Sequence, residues 1–523
     1  MHAVGLVLFL VVLGTAVATG ARRWRVPAPS LLVLVGIGVA LIPGTPALHI
    51  APETIGLVVL PPLLYASAEE LSLRDLRSVW RPVTILALGL VLASAAVVGV
   101  LAAAVTPLTG AMAFVLGTVL ASTDPVAVTA LGRRLSLPDR VQVLVQAESL
   151  FNDATSLVLF KVALSLAVTT GAFGWQAAGG EFLLLAGGGI AVGAAVAGLV
   201  GLIRRRTADP VLETVIALVT PYAVYVLAES VEASGVTAVV VAGVLLGRSG
   251  HRLSDARIRV QLGAVYAVVV FLLESVVFSV VGLELPALVR ELPHSGGAWP
   301  LQALALALVL IALRVLWVLP LSAALGPGPG PSWRVAGVVS WAGTRGVMPL
   351  AAALSIPLVT ADGQPLPGRP LVLVLTTAVV VFTLVVQGLT LAGVVNRSGL
   401  AVEPEHTVRE EAWTRAELAR AGLAHLDGIA DLEAVPEAAL ERMRRNLDAR
   451  LDERGGGDGA GGYGSGGDAA APTLVAYREL RRDIIAVQST ELRRLYDDNR
   501  VSDTTRRRLQ RDLDLEDLGL GGG

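Results

Sequence analysis

Apolar runs of membrane-spanning length recur along the first three quarters of this chain, and they constrain its fold more than any other feature. They fall at about 3–20, 29–44, 52–69, 82–106, 109–131, 141–168, 181–203, 211–229, 235–247, 261–284, 300–324, 334–358 and 370–395. A spanning helix needs about 17–25 mostly apolar residues. Inside a bilayer each backbone N–H and C=O must be satisfied within the segment, so such runs become helices. Charged residues make up 16% of the chain, against roughly 25% in soluble domains. The expected fold is therefore an all-α polytopic membrane protein with about thirteen transmembrane helices. The first run, Val4 to Ala18, lacks a basic leader and reads as a span rather than a cleaved signal peptide.

Arginines set the expected orientation. One set of connections carries Arg22, Arg23 and Arg25, then Arg74, Arg77 and Arg81, then Arg133, Arg134 and Arg140, then Arg204, Arg205 and Arg206. The same alternation continues with Arg248, Arg252, Arg257 and Arg259, then Arg334 and Arg397, while the opposite connections hold only Arg290 and Arg369. By the positive-inside rule the N-terminus lies outside and the C-terminus in the cytoplasm. Residues 1–398 then form the membrane domain. Residues 399–454 read as a cytoplasmic helical segment, with Trp413, Leu418, Leu423, Leu426 and Ile429 at helical spacing. Residues 455–472 are a Gly-rich flexible linker. Residues 473–523 form a helical tail with a stripe of Tyr477, Leu480, Ile484, Ile485, Leu492, Leu495 and Tyr496. The tail packs on itself or a partner subunit, or acts as a regulatory element on the membrane domain.

Composition removes several chemistries. Without cysteine there are no disulfides, thiol nucleophiles, iron–sulfur clusters or thiolate zinc sites. His2, His49, His251, His294, His406 and His425 all lie outside the cores of the apolar runs, so a buried histidine metal centre or a Ser–His hydrolase lacks its parts. No cofactor and no nucleic-acid partner are expected.

Polar residues inside the spans mark the site. Glu148-Ser149-Leu150-Phe151-Asn152-Asp153 interrupts the sixth run, where a buried charge costs from about 2.5 to well over 10 kcal/mol. Glu148 and Asn152 share one helical face, and Ser149 and Asp153 share the next. The second face offers hard oxygen ligands for a small cation. In the fifth run Pro125 opposes helical continuation at Ser122-Thr123-Asp124, and Gly343-Thr344-Arg345-Gly346-Val347-Met348-Pro349 breaks the twelfth. An inverted repeat relating spans 1–6 to 8–13 pairs these breaks, the placement expected of a transporter's binding site. Arg345 is a candidate counterion for Glu148 or Asp124. Arg314 and Glu274 are candidates to pair with each other, and Lys161 to snorkel to the outer interface.

Four ordered motifs, Leu60-Pro61-Pro62-Leu63-Leu64-Tyr65, Ser122-Thr123-Asp124-Pro125-Val126-Ala127-Val128, Glu148-Ser149-x-x-Asn152-Asp153 and Arg345-Gly346-Val347, resemble the NhaP/sodium–hydrogen exchanger branch of the monovalent cation–proton antiporters. The resemblance implies thirteen helices in an inverted repeat with two discontinuous crossing helices, a homodimer, and elevator-like alternating access. It implies that Asp153 binds the ion and the proton, that Thr123, Ser149 and Asp124 help coordinate Na+, and that Glu148, Asn152 and Arg345 form a stabilising polar cluster. Asn152-Asp153 is the pattern associated with electroneutral exchange. One departure bears on affinity and selectivity: many relatives carry an acidic residue where this chain has Ala66, and Glu69 and Glu70 lie a turn further on.

The expected function is a secondary-active Na+/H+ antiporter in the cell membrane, with Li+ or K+ as further candidate ions. A K+/H+ antiporter on the same scaffold is the nearest alternative. An intramembrane aspartyl protease with Asp124 and Asp153 as its dyad, and a non-transporting sensor signalling through its tail, are rivals of other classes.

Overall fold

The computed structural model describes residues 2–24, 28–42, 57–124, 139–168, 175–207, 209–253, 255–292, 297–324, 332–360, 364–399, 404–430, 437–452 and 471–521. Among them the fold is helical, with one isolated antiparallel bridge between Val359 and Pro365. In chain order the helices of the apolar region are α1 (His2–Trp24), α2 (Ala28–Ala40), α3 (Leu60–Glu69), α4 (Leu73–Val105), α5 (Gly110–Ala121), α6 (Asp139–Val168), α7 (Trp175–Arg204) and α8 (Pro210–Ser230). Then come α9 (Gly235–Leu253), α10 (Ala256–Glu291), α11 (Trp299–Ala324), α12 (Ser332–Trp341), α13 (Val347–Leu354) and α14 (Arg369–Ser398). Each of the thirteen predicted runs overlaps at least one described helix, and the twelfth is divided between α12 and α13. Among the described residues, seven segments are long and apolar enough to cross a membrane on length and composition.

Local chemistry explains the helix ends. Ser72 accepts from Asp75 N–H before α4, and Thr109 accepts from Met112 N–H before α5. Asp209 accepts from Val211 and Leu212 N–H ahead of α8, whose first residue is Pro210. Within α4, Pro82 cannot donate to the preceding turn, and a π-helical turn follows at Ile85–Leu90. Gly399, at φ 64°, ends α14 in the left-handed conformation favoured at helix C-termini.

Residues 1–253 and 264–401 form one compact unit. Within it α4, α5, α6, α11, α12, α13 and α14 are mutual neighbours, and α3, α7, α8 and α9 form a second neighbouring set. Small residues let the backbones approach. A Cβ on Gly117 of α5 would lie 2.3 Å from the Ala95 carbonyl oxygen of α4. Lipid supplies no hydrophobic drive between helices, so such small-residue contacts carry much of the association.

Residues 254–263 and 402–523 form a second unit. Its helices are α15 (Pro404–Ala430), α16 (Glu437–Asp452), α17 (Ala471–Asp497) and α18 (Asp503–Gly521). Leu418 packs with Ile485, Leu492, Leu509 and Leu513, and Leu426 with Met443, Leu447, Leu480 and Ile484. The stripe read along 477–496 thus faces inward. Arg508 pairs with Glu411 at 2.6 Å and Arg481 with Glu516 at 2.7 Å. Residues 254–263 also belong to this unit, which periodicity did not suggest, and Arg259 donates to Asp514 at 2.9 Å. The predicted linker lies almost wholly outside the described residues.

The packing generates a test. Gly117→Ala should destabilise by about 1–3 kcal/mol by forcing α4 and α5 apart, read as a lower Tm in detergent. Gly187→Ala, at a site with nothing within 4 Å, should leave the Tm unchanged or raised. Equal Tm values for both variants would contradict the close-approach account.

Candidate functional site

Two interrupted helices meet at the centre of the first unit. α5 ends at Ala121, Ser122 is extended at φ −67° and ψ 144°, and the chain reaches Asp124 without helical bonding. α12 ends at Trp341 and α13 resumes at Val347. The two breaks hold each other. Asp124 N–H donates to the Thr344 carbonyl at 2.8 Å, and Thr344 Oγ1 donates to the Asp124 carbonyl at 2.9 Å. Val347 N–H, at the start of α13, donates to Asp124 Oδ2 at 3.2 Å. A carboxylate at a helix N-terminus is favourably placed against the helix dipole. Gly346 is what admits it, because a Cβ there would lie 1.5 Å from Asp124 Oδ2.

Arg345 answers the opposite charge. Its Nε donates to the Leu120 carbonyl at 2.8 Å, in the last turn of α5, and its Nη1 to the Gly343 carbonyl at 2.9 Å. Its backbone N–H donates to Thr383 Oγ1 of α14 at 3.1 Å. Helix C-termini carry unsatisfied carbonyls and partial negative charge. One guanidinium therefore serves two chain interruptions at once.

Asp153 sits on α6 against this crossing, buried, with Ser122 Oγ donating to its Oδ1. Its Oδ2 accepts no hydrogen bond from the described residues. Ser149 Oγ donates to the Thr123 carbonyl, and Asn152 Nδ2 donates to Thr123 Oγ1 at 3.1 Å. Asn152 Oδ1 is buried without a protein partner. The structure thus brings Thr123, Asp124, Ser149 and Asp153 to one locus, where two side-chain oxygens, on Asp153 and Asn152, have no partner among the described residues.

Several pairings differ from the expectation. Glu148 is not matched by Arg345: Arg314 of α11 grips it with two bonds, at 2.5 and 2.8 Å, and donates Nε to the Val339 carbonyl at 3.1 Å. Arg314 reaches it because Gly343 has no side chain; a Cβ there would lie 2.4 Å from Arg314 Cδ. Glu274 is consequently left without its expected arginine. Lys161 does not stand alone at the interface but bonds both carboxylate oxygens of Glu229, at 2.5 and 2.6 Å. Arg204, read as a loop cation, is buried and pairs with Glu213 at 2.6 Å. Asn152 shares a helical face with Glu148 yet bonds the Thr123 side. Pro125, Val126, Ala127 and Val128 lie outside the described residues.

Sequence reasoning did not single out Ser122 as the partner of Asp153, nor Arg314 as the partner of Glu148. An arginine within an apolar span was a signal for the second. Only the three-dimensional crossing identifies the first. The buried Arg314–Glu148 pair gives a sharp test, since removing one partner leaves an uncompensated buried charge costing about 3–5 kcal/mol. Arg314→Met should collapse detergent stability, and Glu148→Gln/Arg314→Met should recover most of it. Failure of the double variant to recover would mean Arg314 acts through packing alone.

Comparisons with known proteins follow the same line. Residues 7–397 match the family described as sodium/hydrogen exchanger, transmembrane. The chain is 34% identical to an uncharacterized Na(+)/H(+) exchanger of Mycobacterium tuberculosis, covering 99% of this chain and 97% of that protein. It is 30% identical to the Na(+)/H(+) antiporter ApNhaP of Aphanothece halophytica, over 86% of this chain and 85% of that one. A sodium, potassium, lithium and rubidium/H(+) antiporter of Bacillus subtilis is 31% identical over 70% of this chain and 57% of its own length. The fold matches the solved sodium proton antiporter MjNhaP1 of Methanocaldococcus jannaschii with a TM-score of 0.61 at 21% identity, covering 74% of this chain and 99% of that one.

Proposed function

The chain belongs to the sodium/hydrogen exchanger family, and from that premise we propose that it exchanges Na+ for H+ at Asp153 by alternating access. It is a multi-pass membrane protein and a cation/proton antiporter. The observation that supports Asp153 as the exchanging group is its half-satisfied carboxylate: Oδ1 is held by Ser122, next to the interrupted backbone of α5, and Oδ2 accepts no hydrogen bond from the described residues. Burial favours the protonated form of a carboxylate, and a nearby cation favours the ionised form. Proton and cation therefore compete for one oxygen set. If only occupied forms cross between the two faces, coupled exchange follows.

In this reading Asp153 supplies the charge, Thr123 and Ser149 supply neutral oxygen, and Asp124 acts directly or through water. Glu148, Asn152 and Arg345 keep the surroundings fixed. Glu148 is held by Arg314, and the Asn152-Asp153 pair accords with electroneutral exchange. A homodimer with the N-terminus outside and the C-terminus in the cytoplasm completes the proposal. Potassium exchange is the second reading, favoured by Ala66 and by the Bacillus subtilis relative, a sodium, potassium, lithium and rubidium/H(+) antiporter. Membership of a transporter family sets aside the aspartyl protease.

The test uses purified full-length protein in liposomes with a preset pH gradient. Sodium or lithium should collapse the gradient with wild type, choline should not, and Asp153→Asn should be inactive with every cation. Collapse by potassium alone would select the second reading. Wild-type rates in Asp153→Asn would overturn the assignment of the exchanging group.

A further inference from the structure

An unneutralised cationic edge lies at one end of the helices that surround the candidate site. Leu86 and Leu90 of α4, Ala336 and Val338 of α12, and Val395 of α14 share one buried apolar cluster. Arg81 precedes Leu86, Arg334 precedes Ala336, and Arg397 follows Val395. All three arginines therefore stand at the same end of that cluster, where α4 and α12 begin and α14 ends. Arg77 lies one turn before Arg81 on the same exposed helix face. Among the described residues none of these four makes an ion pair, whereas neighbouring Arg74 is paired with Asp75 at 3.5 Å.

Aromatic rings accompany two of the arginines. The guanidinium of Arg81 lies 5.5 Å from the Trp80 ring centroid, and that of Arg334 lies 5.4 Å from the Trp333 ring. Both indoles are more than half exposed, at 55% and 64%. Beyond Arg81 the same face of α4 becomes apolar and exposed at Ile85, Leu88 and Leu92. Basic, aromatic and apolar groups thus follow one another along a helix in the order that phosphate, interface and acyl chain follow one another in a lipid leaflet. Guanidinium forks match phosphate oxygens and stack on rings in ways a lysine ammonium does not.

We infer that Arg77, Arg81, Trp80, Trp333, Arg334 and Arg397 form a binding site for the headgroup of an anionic phospholipid, on helices packed around the ion site. Charge complementarity and the continuous apolar track below the arginines commit the site to a lipid rather than a soluble anion. The bound lipid ties the helices around Asp153 to one leaflet.

The experiment reconstitutes the full chain into vesicles carrying either brominated phosphatidylglycerol or brominated phosphatidylcholine and follows tryptophan quenching. Wild type should be quenched more by the anionic lipid. Arg77→Gln/Arg81→Gln/Arg334→Gln should lose that difference, with affinity falling about fivefold for each arginine removed. Millimolar inorganic phosphate should not reverse the quenching. Equal quenching by both lipids in wild type would overturn the site. So would an unaltered preference in the triple variant, or reversal by free phosphate. Should the neutral variant fail to fold, Trp80→Phe/Trp333→Phe carries the test. The lipid-dependent difference must vanish with those two indoles, and its persistence would place the lipid elsewhere.

Discussion

The paired hydrogen bonds between Asp124 and Thr344 are the contact on which the rest of the membrane unit depends. Breaking a helix in a low-dielectric setting strands backbone donors and acceptors, each costing several kcal/mol if left unmet. Here the two breaks satisfy one another, Arg345 takes carbonyls from both, and Thr383 takes the Arg345 N–H. Neither interruption would be tolerable alone. Their mutual satisfaction fixes the backbone of Thr123 and Asp124 against α6, and with it the surroundings of Asp153.

Buried charge is distributed around that crossing with a clear division. Arg314 closes on Glu148, and Arg204 closes on Glu213 farther away. Such pairs are a poor source of net stability, since desolvation offsets most of their attraction. Their consequence is geometric: they lock α6 to α11, and α7 to α8, while among the described residues the carboxylate of Asp153 is bonded on one oxygen only. Among the described residues of the crossing, Asp153 is thus a carboxylate with spare capacity.

Much of this was legible in the chain. Apolar run length located the helices, and Pro125 and the Gly343–Pro349 segment located the breaks, because backbone chemistry at those residues forbids a continuous helix. Helical spacing paired Ser149 with Asp153, and the grouping of both with Thr123 and Asp124 was implied by the resemblance of the four ordered motifs. Pairing was less accessible. Arg345 and Arg314 are both buried arginines, and nothing in their spacing tells which one meets Glu148; the glycines at 343 and 346 decide it by giving Arg314 and Asp124 room. Arg204 read as a loop residue because it ends a helix, although the same end is covered by α8. The inclusion of residues 254–263 in the tail's unit also escaped periodicity, because those residues open an apolar helix.

The claim at the centre is that one cation displaces one proton from the same carboxylate. Proton release on adding sodium to the purified protein in weakly buffered detergent solution measures this directly. The account predicts release of a single proton for each sodium bound by wild type, shrinking as the pH is raised until Asp153 is already ionised, and no release from Asp153→Asn. Sodium binding by wild type without proton release at any pH, or undiminished release from Asp153→Asn, would contradict it.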